Sequence, residues 1–369
     1  MRKLLKNEYF QILGLFIAWR TALFIVAYIA PSFISTFGAK FPYYNERLIP
    51  SNLPFFIWSF GNFDGVHYLG IAKDGYAYQF TQAFFPLYPI SIKILSTLTG
   101  LNLVVSALLL SNAAFLVGLF AFYALVKKYF TRQTAFWSCI FLLTFPTSFY
   151  FGSIYTESLF FLLVILSFYL YERGVILPAL IIGFFASLTR LVGVFLSITV
   201  HNFKKPSLYP ILIIPLGLVA YMLYLKVKFN NALYFLTSQS AFGQQRSTTE
   251  IVLLPQVMYR WIKQIATTSG LTLFNAIFEL TTLLIVLALL VVAWKRVNRQ
   301  WVIFSLLAVL TPTLTGSLAS MPRYVLIAFP IFIVLAQIQS NYIKILITII
   351  FIALLAISTT FFTRGYWIA

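Results

Sequence analysis

Charge is what this chain has least of. Only 9% of its 369 residues are Asp, Glu, Lys or Arg, against about 25% in an ordinary soluble domain. Hydrophobic residues make up 61% and aromatic residues 19%, and the mean hydropathy is +0.92. A packed soluble core cannot absorb that balance, so a soluble enzyme, a DNA-binding domain and a disordered tail are all excluded. Apolar runs of about twenty residues recur along the chain, which defines an all-α polytopic membrane protein. Cysteine is nearly absent. Cys139 stands alone inside an apolar run, which excludes a disulfide and a thiolate metal site.

Acids are scarcer than bases: eight Asp and Glu stand against 26 Lys and Arg, for a net charge of +18. In a soluble protein that excess would point to nucleic acid. Here much of it lies in short loops beside apolar spans, where membrane topology places it, and no nucleic-acid partner is expected. The remainder suits anionic lipid headgroups or a phosphate-bearing substrate.

The basic start Met1–Lys6 precedes an apolar stretch that runs to about Ala30 and is interrupted by Arg20. It is too long for a cleaved signal peptide and reads as a signal anchor with its basic end inside. Further spans are expected at 101–126, 134–152, 157–172, 175–189, 191–203, 208–226, 271–294, 300–319, 324–339 and 342–361. That makes roughly eleven, with the N-terminus inside and the C-terminus outside. The stretches 175–189 and 191–203 are short for a bilayer, and read as tilted or broken helices or as one re-entrant pair. No internal repeat is evident. The whole chain 1–369 reads as one integral-membrane domain.

This topology places both long non-spanning segments, 31–100 and 227–270, on the outer face. It also places Glu46, Asp64, Asp74, Glu157, Glu250 and Glu279 on the outer side, leaving Glu8 and Glu172 inside. The chemistry is therefore expected outside. His201 falls inside beside Lys204 and Lys205, so no pair of histidines forms a metal site.

The densest polar stretch is 62–89. Asn62 is expected to cap a short helix that Gly75 ends in the left-handed conformation. On that helix Asp64, His67 and Tyr68 stand at i, i+3 and i+4 and share a face. A carboxylate beside a histidine and a tyrosine suits a general base acting on a sugar hydroxyl, although an Asp in a first helical turn is also what the helix dipole favours. Asp74 and Tyr76 flank the stop. A divalent cation between Asp64, Asp74 and a substrate phosphate is conceivable, and otherwise no cofactor is expected. Glu157 opens a span after Tyr155–Thr156. Arg190, between the two short spans, and Arg323, at the head of another, are placed to hold a phosphate or to snorkel to headgroups. Arg20, inside the first span, must find a partner or a polar cavity, with Glu279 or a lipid phosphate as the candidates. The segment 227–270, with Gln244–Gln245–Arg246 and Trp261, is expected to shape an acceptor site. A transporter or flippase is the alternative reading, although it would carry ionisable groups at mid-membrane and an internal repeat.

The run Phe63–Tyr76, followed by Ala83–Phe–Phe–Pro–Leu–Tyr–Pro89, resembles the first luminal loop of the PIG-V family of mannosyltransferases. Pro146, Tyr155–Ser158, Thr189–Arg190, Arg323–Tyr324 and Phe329–Pro330 match later landmarks of that family in order. The resemblance implies a GT-C fold whose large first outer loop carries short juxtamembrane helices. It also implies an inverting transfer from a polyprenyl-phosphate sugar to a glycolipid, glycan or protein acceptor, with Asp64 as the catalytic carboxylate. The family usually has Trp-Asp at this point, where this chain has Phe63–Asp64. Its length and composition fit a prokaryotic relative in the plasma membrane, without a GPI pathway.

Overall fold

A computed structural model describes residues 8–38, 41–199, 209–243, 246–247 and 250–368. The start Met1–Lys6, His201, Lys204–Lys205–Pro206, Gln244–Gln245 and the end of the expected span 191–203 lie outside the described residues. Among the described residues every regular element is helical. Five helices are long and apolar enough to cross a membrane: Glu8–Phe33, Leu103–Tyr129, Tyr209–Phe229, Gly270–Arg296 and Asn341–Thr363. At about 1.5 Å per residue each reaches the thickness of a hydrocarbon core. Their ends carry local signals. Asn102 accepts the Val105 N–H at 2.9 Å to open the second, and Lys127 and Lys128 close it, complementing the helix dipole.

The other expected spans are shorter or broken, and proline accounts for part of this. The span expected at 134–152 is helical only over Arg132–Thr144. Pro146 cannot continue the hydrogen-bond ladder and holds Phe145 extended (φ −53°, ψ 139°), and the chain resumes as a 3-10 helix over Ser148–Gly152. The stretch expected as 324–339 divides into Met321–Tyr324, a 3-10 turn Val325–Ile327 and Pro330–Ala336. No piece of it is long enough to cross a bilayer. Helix Ile176–Thr189 is 14 residues long, about 21 Å, and Leu191–Thr199 follows as a 3-10 turn and one helical turn. Gly193 lets that turn close on the helix, because a Cβ there would lie 2.5 Å from the backbone of Ala186.

The chain forms two compact units. The first comprises Met1–Gly75, Leu87–Ala179 and Leu335–Ile368. Within it Leu103–Tyr129 packs along Glu157–Glu172 and Arg132–Thr144, and Glu8–Phe33 packs on Asn341–Thr363. Its core is aromatic, with Phe115 stacked on Phe151 at 4.1 Å and Phe161 meeting both edge-on. Such pairs add about 0.5–1.5 kcal/mol each beyond the area they bury. Glu8 pairs with Lys127 and with Arg132, and Lys128 lies 3.9 Å from Glu172. Glu8 and Glu172, the two acids expected on the inner side, are thus each beside basic residues of Leu103–Tyr129 or its C-terminal flank.

The second unit comprises Tyr76–Pro86 and Leu180–Val334. Gly270–Arg296 packs on Arg299–Thr313, on Leu254–Thr267 and on Met321–Tyr324. The strip Tyr76–Pro86 is held by the Tyr221 hydroxyl, which donates to Gln82 O at 2.7 Å. Phe85 also lies against Tyr221 and Phe235.

Candidate active-site residues

Asp64 opens helix Asp64–Asp74, but Asn62 is not its cap. The Asn62 amide donates instead to Phe362 O at 2.9 Å and Thr363 O at 3.3 Å. Both carbonyls lie at the end of the C-terminal helix, where Phe362 O also accepts Gly365 N–H at 3.0 Å. The cap position falls to Phe63, at φ 59° and ψ −116°. A bulky residue at positive φ costs on the order of 1–3 kcal/mol and persists only where its surroundings fix it. Here Phe41, Phe362 and Trp367 surround the Phe63 ring, with centroids at 4.6, 5.7 and 5.2 Å. The Tyr155 hydroxyl donates to Asn62 O at 3.0 Å and accepts the Asp64 N–H at 3.3 Å. Gly75 ends the helix at φ 70° and ψ −158°, a positive-φ state but not the left-handed helical one.

The neighbours of Asp64 take different roles. His67, one turn on, is half-buried and meets the Tyr43 ring at 6.3 Å. Burial pushes its imidazole below the usual range, while the Asp64 carboxylate pulls it the other way. Tyr68 is buried, edge-on to Tyr88 at 5.2 Å. Asp74 pairs with Arg47 at 2.7 Å, so the imagined cation between Asp64 and Asp74 has lost one carboxylate to a guanidinium. Glu157 is 4% exposed at the first turn of its helix.

Within the second unit the structure brings together three arginines around one phenol. Arg246 donates to the Tyr324 hydroxyl at 3.1 Å, to Gln239 Oε1 at 3.1 Å and to Ala319 O at 3.5 Å. Arg190 and Arg323 lie over the Tyr324 ring at 5.5 and 5.3 Å. Burial alone would raise the Tyr324 phenol; Arg246, Arg323 and Arg190 more than offset it and bring it to about 8. Glu279 supports the cluster from its span, accepting Trp261 Nε1–H at 2.8 Å and Ser320 N–H at 3.2 Å. The latter bond holds Ser320 at φ 71°, just ahead of Met321–Tyr324. Tyr76 also belongs to this unit, with its hydroxyl donating to Phe84 O at 2.6 Å.

Tyr155 and Tyr324 carried no individual role in the sequence reading, and Arg246 was only part of a segment expected to shape an acceptor site. Arg246 meets Tyr324 across 78 positions, a relation without a local signature. The polar run ending at Arg246 was the only trace of it.

An integral membrane protein, wholly helical in its regular elements among the described residues, with an acid at the first turn of a short helix and an arginine cluster built around a phenol: this is the class that the fold and the candidate residues define. Within that class the chain belongs to the mannosyltransferase (PIG-V) family, whose family model matches residues 22–209, just over half of the chain. It is accordingly a membrane glycosyltransferase. The match includes Asp64, Glu157 and Arg190 and ends before Arg246 and Arg323. No curated protein matches the chain. Among solved structures it is similar to ArnT from Cupriavidus metallidurans, determined bound to undecaprenyl phosphate. The two are 12% identical, with a TM-score of 0.49, over 95% of this chain and 76% of that one.

Proposed function

We propose that this glycosyltransferase moves a mannose-type hexose from a polyprenyl-phosphate donor to an acceptor hydroxyl with inversion. The reading has the whole chain 1–369 work as one GT-C enzyme of a prokaryotic plasma membrane. Its chemistry faces outward, with 31–100 as the catalytic loop and 227–270 shaping the acceptor side. The observation that carries it is the Asp64 corner: an acid whose backbone is held at a strained turn, in a chain with only eight acids, inside the stretch that a mannosyltransferase family model matches.

In this scheme Asp64 takes the acceptor hydroxyl proton as that oxygen attacks the anomeric carbon. The bond from that carbon to the donor's phosphate oxygen breaks, and the phosphate leaves with the electron pair. A single displacement inverts the anomeric centre. Phosphate needs no protonation to depart, unlike the alkoxide of glycoside hydrolysis, for which a second carboxyl must supply a proton. Arg190, Arg246 and Arg323 oppose the charge growing on the phosphate, and losing one such donor costs on the order of 10²–10³ in rate. His67 orients the acceptor. Tyr68, Asp74, Tyr76 and Glu157 support substrate binding through the packing and hydrogen bonds that set the loop.

The test is sugar transfer in membranes containing the chain, comparing radiolabelled polyprenyl-phosphate mannose with nucleotide-linked mannose. Transfer from the lipid-linked donor alone, with an inverted anomeric configuration in the product, supports the reading. Transfer from the nucleotide-linked donor, or retention, contradicts it.

A further inference from the structure

Arg20 lies midway along the first span Glu8–Phe33, two residues before the family match begins. It is 8% exposed. Its guanidinium rests on the faces of Phe24 and Phe60, at 4.1 and 4.4 Å from the ring centroids. Its Nη1 is buried and makes no hydrogen bond, and among the described residues no carboxylate pairs with it. Glu279, an expected partner, has both oxygens engaged by Trp261 and Ser320. A guanidinium removed from water without a counter-charge is expensive. A methionine or leucine would fill much of the same space without that cost. The charge must therefore return something through what it touches.

What it touches leads to Asp64. Phe60 belongs to the 3-10 turn Ser59–Gly61, and its carbonyl accepts Ile154 N–H at 2.9 Å. Two residues on, Asn62 binds Tyr155 and the end of the C-terminal helix, and then come the positive-φ Phe63 and Asp64 itself. On its other side the guanidinium meets Gly152, where a Cβ would sit 2.4 Å from Nη1. The adjacent Trp19 donates to Ser148 Oγ at 3.1 Å. The two segments that hold the Asp64 corner, 59–63 and 148–155, are thus both seated on Trp19–Arg20.

We propose that Arg20 is a positioning residue for Asp64, its cation–π contact with Phe60 keeping the Phe63 corner closed. A desolvated contact of this kind is strong enough for the task. The inference rests on Asp64 being the base.

The test uses the full-length protein in membranes, at matched abundance, with radiolabelled polyprenyl-phosphate mannose. Arg20→Met lowers kcat about 10-fold or more and leaves the donor KM within about twofold, as displacement of a reacting group does. Arg20→Lys recovers much of that loss. Phe60→Leu reproduces it, Phe60→Tyr does not, and Arg20→Met with Phe60→Leu is no worse than either alone. A full kcat in Arg20→Met, or losses that multiply in the double variant, overturns the proposal. Where Arg20→Met does not accumulate, the Phe60 pair decides: a normal kcat in Phe60→Leu overturns it equally.

Hydrogen exchange over residues 59–66 in the solubilised chain gives a reading that does not depend on turnover. Faster exchange in Arg20→Met or Phe60→Leu is expected, and unchanged exchange overturns the proposal. Asp64→Asn, run alongside, separates the two claims. If it is active, the base reading falls. If it is inactive while Arg20→Met is normal, only the positioning role falls.

Discussion

The hydroxyl of Tyr155 closes a two-bond bracket on Asp64, accepting that residue's N–H at 3.3 Å while donating to the carbonyl of Asn62 at 3.0 Å. Tyr155 comes from the turn that precedes helix Glu157–Glu172 and lies 91 positions away in sequence. The bracket spans Phe63, the residue held at positive φ. The backbone that carries Asp64 is thereby tied to a phenol from a distant turn.

Tyr155→Phe keeps the ring packing against Tyr150 and Phe362 and removes only the bracket. Losing these bonds is expected to cost about 1–3 kcal/mol. Turnover is expected to fall about 10-fold or more with little change in the donor KM, because a small displacement of a reacting group weighs on rate more than on binding. Steady-state kinetics on matched membranes checks the split.

With the arginine cluster as the proposed donor-phosphate site, Tyr324 is expected to make donor binding sensitive to alkali. Its phenol, brought to about 8 by Arg246, Arg323 and Arg190, becomes an anion as the pH rises through that value. It then competes with a substrate phosphate for the same guanidinium groups. The donor KM is expected to climb above about pH 8 in wild type and to stay level in Tyr324→Phe. A KM–pH profile from 6.5 to 9.5 checks it (roughly 1.5 units to each side of the phenol's transition).

His67 works in the other direction. Its folded-state value lies below the unfolded one because burial disfavours the imidazolium, with Asp64 opposing. The unfolded chain therefore binds this proton first as the pH falls. The stabilising contribution is complete above the unfolded value of about 6.5 and is lost progressively below it. His67→Gln should flatten this part of the acid response. Thermal midpoints of the purified protein between neutral pH and about pH 5 test it, and parallel curves for the two proteins would contradict it.

Composition alone made the fold class legible, because so few charges leave no other place for so many apolar residues. Spanning helices were readable where length and hydropathy agreed, as at Leu103–Tyr129 and Gly270–Arg296. They were misread at Phe145–Pro146, where one imide nitrogen outweighs an apolar run. Asp64 was legible as a polar point in an apolar chain, and Gly75 as a stop. Asn62 was misassigned because its amide answers carbonyls 300 positions away. The contact of Arg20 with the faces of Phe24 and Phe60 was not anticipated. The Arg47–Asp74 pair had no trace in the sequence, because the two stand 27 positions apart. For Asn62, for the Phe60 contact of Arg20 and for Asp74 the partner is distant in sequence, and local spacing carries no record of it.

The central claim is that Asp64 is the base of the transfer. The most direct test compares wild type with Asp64→Asn, at equal abundance in membranes, for transfer from radiolabelled polyprenyl-phosphate mannose. The amide keeps the shape and removes the basicity. The account predicts transfer by wild type and a collapse of at least about 10²-fold in the variant, with donor binding retained. Undiminished transfer by Asp64→Asn would contradict it.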